Sequence, residues 1–297
     1  MTNEEIAALR AANYNATITE RREAHADLWV FAVRPKGWPI PEIKPGQYVT
    51  LALGYWEPRV ARATERVIPD GSGEKMIRRA YSIAGADPAN NTMEFYVVLV
   101  PEGELTPRLF AQSVGEDIFL GGKVTGKYNL DAIKSGTETI CLMSTGTGEA
   151  PQNFMVRTLL AAGHKGRIVN ATCVRYTRDL GYLEMHQQLM EQYPNYSYVP
   201  LTTREPETIN KKVYIQSFIA DGHLERMLGS ELDPSSVHFF LCGNPLMIGL
   251  PKWGEDGTPL FEEQGAVSEI LMSRGFTLDQ GAGRNMRIGS VHYEEYW

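Results

Sequence analysis

Four consecutive residues, Arg79, Ala80, Tyr81 and Ser82, place a cation, an aromatic ring and a hydroxyl in one extended stretch. Side chains alternate along a strand, so Arg79 and Tyr81 share one face while Ala80 and Ser82 share the other. A guanidinium can fork onto a phosphate, a phenol can stack on a flat ring, and a hydroxyl can bond a ring nitrogen. The set suits a flat, charged, hydrogen-bonding cofactor, although an amphipathic strand with a solvated arginine has the same pattern. Farther on, Thr106 precedes Pro107. That order predicts a hydroxyl cap and a first-turn proline opening a short helix, whose exposed amides attract anions.

The second half of the chain carries further candidates. Thr145, Gly146, Thr147 and Gly148 precede Glu149, Ala150 and Pro151 in a glycine-rich turn from strand to helix. Glycines let backbone approach a pyrophosphate, and the helix start offers unpaired amides. The turn is not G-x-G-x-x-G, and its spacing alone is a weak signal. Arg175 and Arg204 follow two successive strands, and Lys212 adds a third cation. Sites that read NAD place a carboxylate on the ribose at this point. Clustered cations favour NADP instead. Cys242, Gly243 and Asn244 form a tight turn after another strand, with the thiol either a polarizable wall to a ligand or a buried structural group.

These residues need scaffolding of two kinds. Residues 14–33, 48–53, 95–100 and 117–120 read as short strands without helical spacing, which suggests an antiparallel barrel or sandwich. The connection 54–78 is rich in mixed charge and carries a Pro-Asp-Gly-Ser-Gly turn signal, consistent with an extended hairpin and a solvated surface ribbon. After residue 135, apolar strands at 139–143, 168–173, 196–202 and 237–242 alternate with helical stretches at 153–162, 181–192 and 214–228. Such alternation means a parallel sheet covered by helices, with ligands at the carboxyl ends of its strands. The expected domains are 1–134 and 135–297. Residues 1–13 read as a short helix or arm, and 251–265 as a loop insertion.

Together the R-A-Y-S run, the P-G-Q-Y-V turn at 45–49, the G-T-G-x-A-P turn and the C-G-x-x-x-M run resemble the ferredoxin–NADP reductase family, over roughly residues 14–297. The resemblance implies an N-terminal antiparallel Greek-key β-barrel that binds FAD, followed by a parallel-sheet α/β domain that binds NADP. It implies FAD contacts from Arg79, Ala80, Tyr81, Ser82, Val97, Val98, Leu105, Thr106, Pro107 and Thr145. NADP contacts are implied for Thr145, Gly146, Thr147, Gly148, Val174, Arg175, Thr203, Arg204, Lys212, Cys242, Gly243 and Asn244. Ser82, Tyr81 and Cys242 would serve the hydride transfer itself. The closing Trp297 would return to cover the adenine of a folded FAD, and Tyr296 would approach the flavin ring. Glu149 and Gln152 depart from the family, which often has an apolar and an aromatic residue there.

The implied function is electron transfer between NADPH and a ferredoxin or flavodoxin. An NAD(P)H–flavin reductase or oxygenase reductase component is the enzyme alternative, and a flavin-holding regulatory module the non-enzyme one. A net charge of −7 argues against nucleic acid as a partner. The three cysteines lack C-x-x-C or zinc spacing, so no metal site or disulfide scaffold is expected, and a reducing, cytoplasmic setting is favoured. No secretion signal or apolar run of membrane-spanning length is apparent, and a monomer is expected.

Overall fold

The computed structural model describes residues 1–255, 258–262, 264–281 and 287–296. The chain forms two compact units, Met1–Lys127 and Tyr128–Trp297.

The first unit opens with helix α1 (Asn3–Asn13), started by a capping box between Thr2 and Glu5. Strands β1 (Ala16–His25), β2 (Leu28–Pro35), β3 (Tyr48–Gly54), β4 (Met76–Ser82), β5 (Gly85–Asp87) and β6 (Thr92–Val98) follow. A short helix α2 (Thr106–Leu109) and β7 (Asp117–Leu120) complete it. The seven strands pair antiparallel in the order β4-β3-β7-β1-β2-β6-β5. Ile18, Phe31, Val33, Val49, Leu51, Phe95 and Leu120 fill its core. The expected barrel is therefore a half-barrel, a curled sheet with β4 and β5 as its two edges. The Arg79–Ser82 run lies on edge strand β4, with Ser82 opposite Tyr48 and Arg79 opposite Leu51.

The second unit contains β8 (Thr139–Thr145), α3 (Glu149–Ala161), β9 (Ile168–Val174), α4 (Leu183–Gln192) and β10 (Tyr196–Thr202). Helices α5 (Ile215–Ala220) and α6 (His223–Leu228), strand β11 (Val237–Gly243) and helix α7 (Pro245–Ile248) come next. The small pair β12 (Lys252–Trp253) and β13 (Pro259–Leu260), helix α8 (Val267–Ser273) and β14 (Val291–Glu295) end it. The main sheet is parallel, in the order β10-β9-β8-β11-β14. Alternation along β8 explains its two covered faces. Cys141 and Met143 pack with Ile215, Phe218 and Leu271, whereas Ile140 and Leu142 pack with Met155, Val156 and Leu160 of α3.

Two elements differ from the sequence reading. The helix expected over 214–228 is broken into α5 and α6 at Gly222, whose φ of 70° is left-handed. The expected hairpin ends at Gly54 and Met76; no strand forms between them, and residues 55–75 are a looped segment.

At the amino end of the sheet, His238 Nδ1 lies 3.1 Å from His292 Nε2, and His292 Nδ1 lies 2.8 Å from Asp279 Oδ2. Burial, then the His292 charge, lowers the His238 pKa, against the pull of Glu138 and Asp279. The unfolded chain therefore binds the proton more readily than the folded one. Stability supplied here is present above the ordinary histidine range and falls as pH drops through about 6.5. Urea midpoints between about pH 7 and about pH 5 should fall more steeply in the native protein than in H238N.

Candidate functional site

In the first unit, Arg79 projects from edge strand β4 with its side chain 58% exposed. Its guanidinium donates to the Arg78 carbonyl at 2.8 Å and lies 3.9 Å from Glu104. Glu104 is held more closely by Tyr55, whose hydroxyl donates to its carboxylate at 2.6 Å. Arg79 is thus loosely paired and faces solvent, as a phosphate ligand requires. Ala80 is exposed, Tyr81 half-buried and Ser82 buried. Burial pushes the Tyr81 phenol above its ordinary range, opposed by the Arg79 charge, so the ring is neutral and able to stack. Of the two β6 residues, Val98 is exposed and Val97 packs into the core. Only the backbone of Val97 is left to meet a ligand.

The segment after β6 is built differently from the sequence reading. Leu105, not Thr106, occupies the cap position of α2, and no side chain caps the helix. The Thr106 hydroxyl turns back instead, accepting from Val100 N at 3.0 Å and lying 3.3 Å from Val100 O. It closes the loop 100–106 instead of capping α2. The backbone N–H groups of Glu104, Leu105 and Thr106 have no acceptor among the described residues, although Leu105 and Thr106 are buried. A helix start leaves its first amides unpaired. Three consecutive free amides at the start of α2, near a loosely held arginine, fit a phosphate-bearing ligand.

In the second unit, the strand order reverses between β8 and β11, and two glycine turns flank that crevice. Both turns depend on glycine. A Cβ on Gly148 would stand 2.4 Å from Cys242 O, and one on Gly243, at φ 125°, would stand 2.3 Å from Thr145 Oγ1. The Thr145 hydroxyl accepts from Asn244 N at 2.8 Å, tying the turns together. Gly146 and Thr147 form a 3-10 turn leading into α3. At the neighbouring strand ends, Arg204 N donates to Arg175 O at 2.8 Å, and Thr203 N and Oγ1 bond Val174 O. This brings the backbones of Arg175 and Arg204 together. Both side chains and Lys212 are exposed, and no carboxylate pairs with them among the described residues. Glu205 instead accepts from Thr177 N at 2.6 Å.

Glu149 is the largest departure from a sequence-level picture. Its carboxylate is buried beneath the turn: Oε1 accepts from the Tyr198 hydroxyl at 2.7 Å and from the Thr172 hydroxyl at 3.3 Å, and His186 Nε2 stands at 3.2 Å. His186 Nδ1 in turn lies 2.7 Å from the Tyr196 hydroxyl. Burial, then the Glu149 charge, pushes the Tyr198 phenol up, so it stays a donor. Gln152 is buried too, and its Nε2 lies 2.9 Å from Phe240 O and 3.1 Å from both Met143 O and the Tyr128 hydroxyl. It joins β8 to β11 under the crevice, where an aromatic ring could only pack. These two residues support the turn rather than face a ligand.

Cys242 is fully buried, with its thiol pushed well up by burial and by Glu294, while Tyr296 opposes that shift. Cys173 is pushed up to about 11 and Cys141 higher still, both by burial. All three are free. A protonated, enclosed thiol is a poor nucleophile, so the folded protein should resist iodoacetamide at about pH 8. Mass spectrometry should find label only after denaturant is added. Tyr296 N donates to Gly243 O at 2.8 Å, and its ring packs with Tyr128, Phe240 and Cys242. Trp297 lies outside the described residues.

No group of three His, Cys, Asp or Glu side chains able to hold a metal occurs among the described residues, and no described helix is long and apolar enough to cross a membrane.

Residues 142–251 match the family model of the oxidoreductase NAD-binding domain. The chain is 31% identical over 177 residues to the flavodoxin/ferredoxin–NADP reductase of Escherichia coli (strain K12), covering 59% of this chain and 70% of that protein. It is 28% identical over 253 residues to the reductase component of phenol 2-monooxygenase from a Pseudomonas species, covering 84% and 62%. Its fold matches that of a ferredoxin NADP+ reductase from Neisseria gonorrhoeae solved with bound FAD and NADP, with a TM-score of 0.69 and 22% identity, over 95% and 97% of the two chains.

Proposed function

The chain belongs to the flavodoxin/ferredoxin–NADP reductase family, and we propose that it moves electrons between NADPH and a separate one-electron carrier, a ferredoxin or flavodoxin, by way of FAD. It is an oxidoreductase of the ferredoxin–NADP reductase kind, with FAD and NADP(H) as its cofactors. What supports the reading for these residues is that Arg79 lies loosely paired near Glu104, at the free amides of 104–106, while Arg175 and Arg204 leave adjacent strand ends joined by a backbone bond.

FAD, when bound, supplies the hydride acceptor and the single-electron steps. The chain supplies orientation. Arg79 and the amides of Glu104, Leu105 and Thr106 would hold the pyrophosphate, ahead of Pro107. Tyr81 would stack on the flavin ring, and Ser82 would offer its hydroxyl to the ring nitrogen that takes the hydride. Ala80 and Val98 would line that face without adding charge. Thr145, Gly146, Thr147 and Gly148 would cradle the nucleotide pyrophosphate, with Arg175, Arg204 and Lys212 on the 2′-phosphate. Val174 and Thr203 fix the backbone that presents the two arginines. Cys242, Gly243 and Asn244 would form the wall beside the nicotinamide. The enclosed thiol of Cys242 suits a wall and not covalent chemistry.

Purified protein should be yellow and should bleach anaerobically with NADPH. Turnover should then require an added ferredoxin or flavodoxin. Colourless protein that cannot be reconstituted with FAD would refute the enzyme assignment. The phenol monooxygenase relative favours a second reading, a reductase component of an oxygenase. Rates with a panel of carriers separate the two, and release of free reduced flavin without any carrier would point to a flavin reductase.

A further inference from the structure

Residues 55–66, read from sequence as solvated ribbon, are bonded along their length to the segment that follows β6. The Arg59 guanidinium donates to Gly103 O at 2.8 Å, to Pro101 O at 3.1 Å and to Thr64 O at 2.8 Å. Val60 N donates to Pro107 O at 2.9 Å and Thr64 N to Pro101 O at 3.1 Å. Arg66 donates to Glu102 O at 2.8 Å, and Tyr55 to the Glu104 carboxylate at 2.6 Å. From within the segment, Arg108 Nη1 bonds Glu104 O at 2.8 Å and its Nη2 bonds Tyr55 O at 3.2 Å. Burial, then the charge of Arg59, lowers the Arg108 pKa, against the pull of Glu104.

The direction of these bonds matters. In a trans peptide the C=O and the following N–H point to opposite sides. Arg59 takes the carbonyl of Gly103, Arg108 takes that of Glu104, and the amides of Arg108 and Leu109 take that of Leu105. Three successive carbonyls are thus each held by a donor, so each of the amides of Glu104, Leu105 and Thr106 is turned away from the donor that holds the carbonyl before it. Those are the three amides left without acceptors.

We infer that the loop 55–66 is a clamp on the flavin-phosphate segment, with Arg59 as the positioning residue that aims its amides at the phosphate. The inference rests on the reading that Arg79 and this segment hold the flavin phosphates. Arg59 touches no ligand; it acts through the backbone it fixes. Tyr55 works in the same direction, since its bond to Glu104 leaves that carboxylate 3.9 Å from Arg79 and the guanidinium open to a phosphate.

The test compares flavins that differ only in phosphate content. Deflavinated native protein, Arg59→Ala and Arg59→Lys are titrated with FAD, FMN and riboflavin, following flavin fluorescence. Arg59→Ala should lose about 10- to 100-fold in affinity for FAD and FMN, the size of one or two lost charge-assisted bonds. Riboflavin, which has no phosphate, should bind both proteins alike. Arg59→Lys, able to reach part of the carbonyl set, should fall between. Equal losses for all three flavins would reduce Arg59 to a fold staple and overturn the proposal, as would unchanged FAD binding in both variants. Native protein that binds none of the flavins would instead refute the family reading of the segment.

Discussion

NADPH will bind about 100-fold more weakly, or worse, once Arg175 and Arg204 are both alanine, because each charge-assisted bond to a phosphate contributes about 1.5–3 kcal/mol and solvent exposure discounts the sum. NADH, lacking the 2′-phosphate, should change by less than about threefold. The contrast follows from position. Both arginines leave adjacent strand ends, their backbones are joined by the Arg204 N–Arg175 O bond, and neither is spent on a carboxylate among the described residues. Calorimetric titration of both nucleotides measures the ratio directly. The loss should shrink as salt is raised, since exposed charges are screened. Equal weakening of NADPH and NADH would remove these residues from the phosphate site.

The second large effect is on the fold of the nucleotide unit. Glu149→Ala should cost about 2–4 kcal/mol, because truncation removes the carboxylate oxygen that the buried Tyr198 hydroxyl donates to and that packs against His186, and leaves a cavity under the turn. Glu149→Gln keeps a carbonyl oxygen for Tyr198 and should cost only about 1–2 kcal/mol. Urea denaturation followed by the fluorescence of the second unit would show it. A Glu149→Ala midpoint within about 0.5 kcal/mol of native would mean the carboxylate is not supporting the turn. The same network explains how an acidic residue is tolerated beside a candidate pyrophosphate site. Its Oε1 is turned inward onto the Tyr198 and Thr172 hydroxyls and His186 Nε2, while Oε2 is buried without a partner among the described residues. The residue sits at the start of α3, where the helix dipole favours a carboxylate.

Much of this architecture was legible in the residues because it rests on local rules. Apolar runs of strand length gave β8 to β11, and the glycine turns marked the ends that face the crevice. Where reading failed, the deciding contacts were not local. Glu149 meets residues 23, 37 and 49 positions away on β9, α4 and β10, and no spacing rule links them. The arginines of 55–66 bind main-chain carbonyls, which every sequence has, so they looked like solvated charge. Thr106 carried a valid capping signal, but the Val100 amide competed for the hydroxyl and won. Over 214–228 the apolar spacing continued across Asp221 and Gly222, and the left-handed glycine ended the helix regardless.

The enclosure of Cys141, Cys173 and Cys242 bears on life in air. Reduced flavin that misses its proper acceptor passes electrons to oxygen, and the product is hydrogen peroxide. Peroxide attacks thiolates, first to sulfenic acid and then irreversibly beyond it. This chain exposes no thiol to that attack and holds all three above their ordinary pKa. An idling enzyme, reduced by NADPH with no carrier at hand, is thereby protected from its own by-product at the one side chain type most easily lost to it.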